Sequence, residues 1–200
     1  MGGTMGEPTP AKRPTTVERL LAGYLMGGAR ERRTMMREIM PDPGGHRYLI
    51  KALAEAGNEL VEVLCAFPYR AVDVPDDDGW SARRIAAHVL AYEEMVAEYV
   101  QEILARRNPE LRVIDPEAVL DEPDLRHNDV ERAMWRFEHL RYRLRATLWE
   151  LDDRHWERTG RHPYRGPVSI VRIVRELHLH DLENLWRTRR LRERVTVRRV

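Results

Sequence analysis

The chain has little cysteine and no long apolar run. Cys65 is its single cysteine, which excludes an intramolecular disulfide, and its neighbours Leu64 and Phe67 predict that it lies in a helix core. No stretch approaches the ~20 apolar residues that span a bilayer, and residues 1–14 lack the apolar region of a secretory signal. We therefore expect a cytoplasmic protein that is neither membrane-spanning nor exported by a signal of this kind.

An excess of charge of one sign is also missing. Charged residues make up 34% of the chain, but the formal net charge is only +1, so no strong overall field attracts polyanions. Nucleic acid and anionic membranes are therefore not expected partners. The arginine-rich end from Arg187 onward, with a basic tail over residues 193–200, is either a solvated helix end or a contact for phosphate or carboxylate groups.

Three kinds of catalytic motif are absent as well. The sequence has no glycine-rich loop that would cradle phosphates, no nucleophile elbow and no paired-cysteine metal motif. These absences argue against nucleotide hydrolysis and serine-type hydrolysis.

The N-terminal part divides into two segments. Residues 1–14 are rich in Gly, Pro and Thr, and such a composition predicts a flexible tail. Thr15 and Glu18 have the spacing of a capping box, and apolar residues recur at helical intervals after them. We predict an accessory N-terminal helix over residues 15–40, which Pro41, Pro43 and the following glycines end.

The remainder predicts an all-α fold. Apolar residues at helical spacing predict a helix ending near Pro68, a second from the N-cap Ser81 to about Arg107, a third from the N-cap Asn128, and a last from Ser169 to about Arg192. Residues 151–168 hold many helix breakers, and no segment predicts a clear strand. Long helices joined by loops of about ten to twenty residues favour a four-helix bundle with at least one crossover connection.

Two short motifs resemble the DinB-like superfamily. One is Gly79-Trp80-Ser81 leading into His88, and the other is the stretch from His180 to Leu185. The resemblance covers roughly residues 46–192 and implies a four-helix bundle. It also implies an activity, since this superfamily includes metal-dependent thiol transferases and isomerases of the maleylpyruvate isomerase type, and it implies a homodimer.

The same resemblance implies a metal centre. In the family, three side chains from the second and fourth bundle helices hold a zinc or nickel ion, which would activate a thiol cosubstrate. His88 and His180 match two of these positions, and Asn184 stands at the third, where a histidine is usual. Asparagine offers only a neutral carbonyl oxygen to such ions. Glu176, four residues before His180, is a possible substitute because both share one helical face.

Other interpretations stay open for the same residues. His88 and His180 are alternatively histidines of a packed core, each satisfied by a neighbouring polar group. Tyr92 either supports the site by a hydrogen bond or packs in the core. His178 lies about 160° around the helix from His180 and is left out of the site. Without a metal, the chain would be a non-enzymatic bundle that binds a small molecule or serves a structural role.

Overall fold

A computed structural model describes residues 45–114 and 129–197. The predicted tail 1–14, the accessory helix 15–40 and the final residues 198–200 lie outside the described residues, as does most of the predicted polar linker. In chain order the elements are α1 (Gly45–Cys65), a 3-10 turn (Tyr69–Ala71), α2 (Ala82–Ala105), α3 (Val130–Trp149), a short α4 (Asp153–Trp156), β1 (Thr159–His162), β2 (Gly166–Ser169) and α5 (Ile170–Val197).

The helix ends follow side-chain capping. Ser81 caps α2 as predicted, because its hydroxyl accepts a hydrogen bond from the Arg84 amide at 3.2 Å. The cap of α3 is Asp129, whose carboxylate accepts from the Glu131 amide at 3.3 Å. It stands one residue after the predicted cap Asn128, which is outside the described residues. The last helix runs to Val197, beyond the predicted end near Arg192.

The four long helices form a bundle in which chain neighbours are not always spatial neighbours. Both α1 and α2 pack against α3 and α5, so α1 and α2 occupy opposite corners. The connection between them therefore crosses the bundle, which confirms the predicted crossover. The ion pair between Glu59 on α1 and Arg189 on α5 shows that the C-terminal halves of these two helices lie side by side. No helix in the described ranges is long and apolar enough to span a bilayer.

The prediction that the chain contains no strand is wrong for residues 159–169. β1 and β2 pair antiparallel, with Thr159 opposite Ser169 and His162 opposite Gly166. Gly166 has a φ of +67°, which closes the hairpin after the connection 163–165. Pro167 is tolerated because Arg161, which lies opposite it, directs its backbone amide and carbonyl to Pro109 and Leu111 and not to β2. The helix breakers of this segment are thus turn and edge residues of a hairpin.

One apolar cluster of the described residues lies at the hairpin end of the bundle. It joins all four long helices to the hairpin through side chains such as Leu53, Ile103, Leu148, Val168 and Leu177. Cys65 lies at the opposite end of α1 and is exposed, contrary to the expected core position. Partial burial and the carboxylates of Glu131 and Glu138 raise the pKa of its thiol, so it is not an activated nucleophile.

Candidate functional site

Two histidines from different helices meet inside the bundle. His88 stands on α2 and His180 on α5, 92 residues apart in the chain, and their Nε2 atoms are 2.8 Å apart. Both side chains are only partly exposed. Burial, followed by His88 and Arg141, holds the pKa of His180 well below its usual value. His180 is therefore neutral near pH 7.

Asn184 lies beside the ring nitrogen of His180 that meets His88. Its Nδ2 donates a hydrogen bond to the His180 carbonyl oxygen at 2.8 Å and lies 3.2 Å from His180 Nε2. An amide NH₂ that faces this nitrogen favours the tautomer in which His180 Nε2 accepts and Nδ1 carries the proton. In that tautomer His88 Nε2 donates the bond between the two rings. Within the described residues, Nδ1 of His180 is buried and has no hydrogen-bond partner.

Aromatic rings hold the two imidazoles in place. Tyr92 stacks on His180 with ring centroids 3.8 Å apart and an interplanar angle of 10°. Trp80 meets His88 edge-on, with centroids 5.1 Å apart. Burial raises the pKa of Tyr92 to about 12, so its hydroxyl stays protonated. The contact of Tyr92 with the site is ring stacking, which corresponds to the packing alternative.

The other two residues considered from the sequence lie apart from the pair. The Glu176 carboxylate accepts hydrogen bonds from Arg165 at 2.6 Å and from Arg172 at 3.0 Å. His178 is 7% exposed, and within the described ranges neither of its ring nitrogens has a hydrogen-bond partner. The structure thus brings His88, His180 and Asn184 together and places Glu176 in an ion-pair cluster beside them.

A buried ionic network, which the sequence patterns did not predict, adjoins the histidines, since its member Asp181 directly follows His180 in the chain. Arg141 on α3 donates to both Glu93 oxygens at 2.9 and 2.7 Å. It also donates to both Asp181 oxygens at 2.7 and 3.1 Å and to the Leu53 carbonyl at 2.9 Å. These bonds use all five N–H groups of the guanidinium and connect the four long helices.

The network also shapes the electrostatics of the site. Arg141 is 4% exposed, and Glu93 and Asp181 are fully buried. Burial raises the pKa of Asp181 to about 6, so this carboxylate is still mostly ionised near pH 7 and pairs with the guanidinium. The positive charge of Arg141 in turn contributes to the low pKa of His180 and of His178. The sequence does contain a signal for a buried arginine, because Arg141 stands on the apolar stripe of α3, between Phe137 and Leu144.

The donor set does not complete a tight metal site. A catalytic zinc centre uses three protein ligands of the imidazole, carboxylate or thiolate type. Within the described ranges no three His, Cys, Asp or Glu side chains converge. The third group at the pair is the NH₂ of Asn184, which donates hydrogen bonds and cannot coordinate a cation. In this arrangement the residues do not fit a tightly held zinc or nickel ion.

The comparisons with known proteins support the four-helix bundle architecture. A family model of the DinB superfamily matches residues 52–186. Among solved structures, YfiT from Bacillus subtilis is similar to this chain, with a TM-score of 0.69 and 19% identity over 78% of this chain and 90% of that one. YfiT is described as a probable metal-dependent hydrolase with an unusual four-helix bundle topology. No curated protein sequence matches the chain. The family match and the shared fold together show that the chain belongs to the DinB superfamily.

Proposed function

We propose that this protein is a non-enzymatic bundle that binds a small molecule at the His88–His180 pair without a tightly held metal ion. The observation that carries the proposal is the orientation of Asn184, whose NH₂ group faces His180 Nε2 at 3.2 Å. A metal ion would need an electron pair from the third position, whereas this group supplies a proton. The substitution of an asparagine at this position has thus turned a ligand position into a hydrogen-bond donor.

The surroundings of the pair suit a small polar ligand. His88, Tyr92 and His180 are each partly exposed, while the helix faces around them are apolar and buried. A few convergent polar groups in an otherwise apolar setting are typical of small-molecule sites. A ligand of this kind would replace the contacts that join His180 Nε2 to His88 and to Asn184.

A second candidate is a divalent-metal-dependent thiol transferase or isomerase. The observation that favours it is the 2.8 Å convergence of the two Nε2 atoms. Two imidazoles on one tetrahedral zinc ion, with Zn–N bonds of ~2.0–2.1 Å, would hold these atoms about 3.3 Å apart, so a small outward movement of the rings would suffice. The similarity to YfiT supports this candidate at the level of the fold.

Metal content separates the two candidates. We would purify the full chain without a metal-affinity step, load it with zinc or nickel, remove free ions and count bound metal by elemental mass spectrometry. We expect far less than one ion per chain in the wild type. Asn184→His should bind close to one ion per chain, because it supplies a third imidazole one turn after His180. Asn184→Leu is the matched control, which changes the same side chain without adding a ligand.

A metal-containing wild-type protein would support the second candidate. A wild-type protein that holds one ion per chain and loses it in His88→Ala would refute the metal-free proposal and support the second candidate. Glu176→Ala then identifies the third ligand, because loss of the ion in this variant means that the carboxylate leaves its two arginines to bind metal.

A further inference from the structure

Glu176 stands one helical turn before His180 on α5. Side chains four positions apart on a helix project from one face, with Cβ atoms ~5–6 Å apart. His180 Nε2 in turn lies 2.8 Å from Nε2 of His88 on α2. Two imidazoles and one glutamate carboxylate are a ligand set that holds catalytic zinc in proteins. Glu176 is therefore a metal ligand in chemical type and in helical position, although its carboxylate is engaged elsewhere.

Two arginines engage the Glu176 carboxylate. Arg165 donates to Oε1 at 2.6 Å and also reaches Oε2. Arg172 donates from Nε to Oε1 at 3.0 Å. The Glu176 side chain is 31% exposed, so these contacts are partly shielded from water and are stronger than a fully exposed ion pair. The oxygen lone pairs that would bind a cation accept hydrogen bonds from guanidinium groups instead.

The two arginines come from different elements of the fold. Arg172 lies one turn before Glu176 on α5, whereas Arg165 belongs to the connection 163–165 of the hairpin. The Arg165 amide donates to the His162 carbonyl at 3.3 Å, and Gly166 closes the turn with its φ of +67°. The hairpin therefore supplies one of the two contacts that hold Glu176.

The charges of this cluster act next to the histidine pair. Tyr92 stacks on His180 with ring centroids 3.8 Å apart. Burial and then the Glu176 carboxylate raise the pKa of Tyr92, and the guanidinium of Arg165 lowers it. The cluster thus lies close enough to act on the ring that covers His180. Its two guanidiniums and one carboxylate leave one positive charge in excess, which repels a divalent cation.

From this geometry we propose that Arg165 and Arg172 hold Glu176 away from the His88–His180 pair and so deprive a latent divalent-metal site of its third ligand. The two arginines act together, because they occupy the carboxylate oxygens and also place positive charge beside the pair. Without them, rotation about the side-chain bonds of Glu176 brings its carboxylate toward the two imidazoles. This inference rests on the proposed function, since it names what keeps that site free of a tightly held metal.

The test is zinc binding by the EDTA-treated full chain, measured by competition with a chromogenic chelator and by elemental mass spectrometry after removal of free ions. We expect the double variant Arg165→Gln with Arg172→Gln to hold close to one ion per chain. Its zinc affinity should exceed that of the wild type roughly thirty-fold, because the carboxylate is released and two positive charges are removed. Adding Glu176→Gln should abolish this gain, since the amide is a much weaker ligand than the carboxylate.

The matched control removes two other arginines that pair with glutamates. Arg112 pairs with Glu98 at 3.1 Å and Arg136 with Glu94 at 2.6 Å. Arg112→Gln with Arg136→Gln changes the net charge by the same amount and releases two carboxylates away from the pair. Its zinc binding should match the wild type. Arg165 and Arg172 are themselves partly exposed, so their replacement should preserve the fold, and circular dichroism of each variant checks this.

Three outcomes would overturn the role of the two arginines. They are a double variant that binds zinc no better than the wild type, a gain that persists with Glu176→Gln, and an equal gain in the control. The metal content of the wild type separates this test from the proposed function. One ion per wild-type chain overturns the metal-free proposal, whereas a metal-free wild type with an equally metal-free double variant overturns the arginine assignment alone.

Discussion

At the scale of single residues, the bundle accepts buried polar groups whose cost depends on their partners. Arg141 has five donors and five hydrogen bonds, whereas His178, also buried, has no hydrogen-bond partner for either ring nitrogen in the described ranges. An unsatisfied buried group loses its hydration without compensation. His178 is therefore a destabilising residue of the core.

We expect His178→Leu to raise the free energy of unfolding by roughly 1–2 kcal/mol near neutral pH, because it removes that desolvation cost. Burial, and then Arg141, lower the pKa of His178 to about 4. An unfolded histidine titrates near 6.5, so between these values the unfolded chain takes up a proton that the folded one does not. The wild type thus loses stability as the pH falls through this window.

The gain from His178→Leu should consequently be about 2 kcal/mol larger at pH 5 than at pH 7.5. Urea unfolding of EDTA-treated protein at both pH values measures it. His139→Leu, at an exposed histidine of α3, is the control and should change stability little. A gain that does not depend on pH would contradict the assignment of a depressed pKa to His178.

At the scale of the helices, Gly57 allows α1 to approach the buried guanidinium. A Cβ atom at this position would lie 2.7 Å from Nη1 of Arg141 and 3.6 Å from a ring carbon of Phe137. The guanidinium cannot move aside cheaply, because α2 and α5 hold it through Glu93 and Asp181. A glycine in the middle of α1 is thus required by packing and not by backbone conformation.

Gly57→Ala should therefore destabilise the protein by roughly 1–3 kcal/mol, the usual cost of overpacking. Replacing a glycine in a helix interior with alanine normally has the opposite sign, a gain of about 0.5–1 kcal/mol. Chemical denaturation of both variants decides the sign. Gly45→Ala serves as the control, since a Cβ there has no atom of the described residues within 4 Å, and a stabilised Gly57→Ala would show that Arg141 relocates easily.

At the scale of the whole molecule, α3 presents a stripe of exposed aromatic side chains. Trp135, Tyr142 and Trp149 are 59%, 72% and 46% exposed and recur every seventh residue, so they share one face over about 21 Å of helix. Under a two-fold axis through Tyr142, Trp135 of one copy would face Trp149 of the other. Such self-complementarity is what an isologous dimer requires.

We therefore expect a homodimer that pairs through α3, in line with the expectation from the sequence. Sedimentation velocity of the wild type should give the dimer mass, and the double substitution Trp135→Ser with Tyr142→Ser should give the monomer mass. Tyr164→Ser is the control, because this tyrosine is 83% exposed on the hairpin. A wild type that sediments as a monomer at micromolar concentration would remove the basis for this interface.

The sequence by itself determined the four long helices, the cap Ser81 and the candidate pair of histidines. Helical periodicity and N-cap chemistry depend on residues within four positions of one another, so Ser81 and the apolar stripes could be interpreted without a fold. The family motif supplied His88 and His180, although nothing local relates residues 92 positions apart. The hairpin was missed because its Gly and Pro residues are equally typical of an irregular loop.

Only the tertiary structure decided which polar groups meet. The network of Arg141, Glu93 and Asp181 depends on three helices, and the stacking of Arg187 on Trp80 depends on two. Asn184 could be recognised in the sequence as an unusual ligand, but the direction of its amide follows from the carbonyl beside it. Packing of the whole bundle sets which polar side chains meet over long sequence distances. The tertiary structure, and not the local sequence, therefore decides the chemistry of the site.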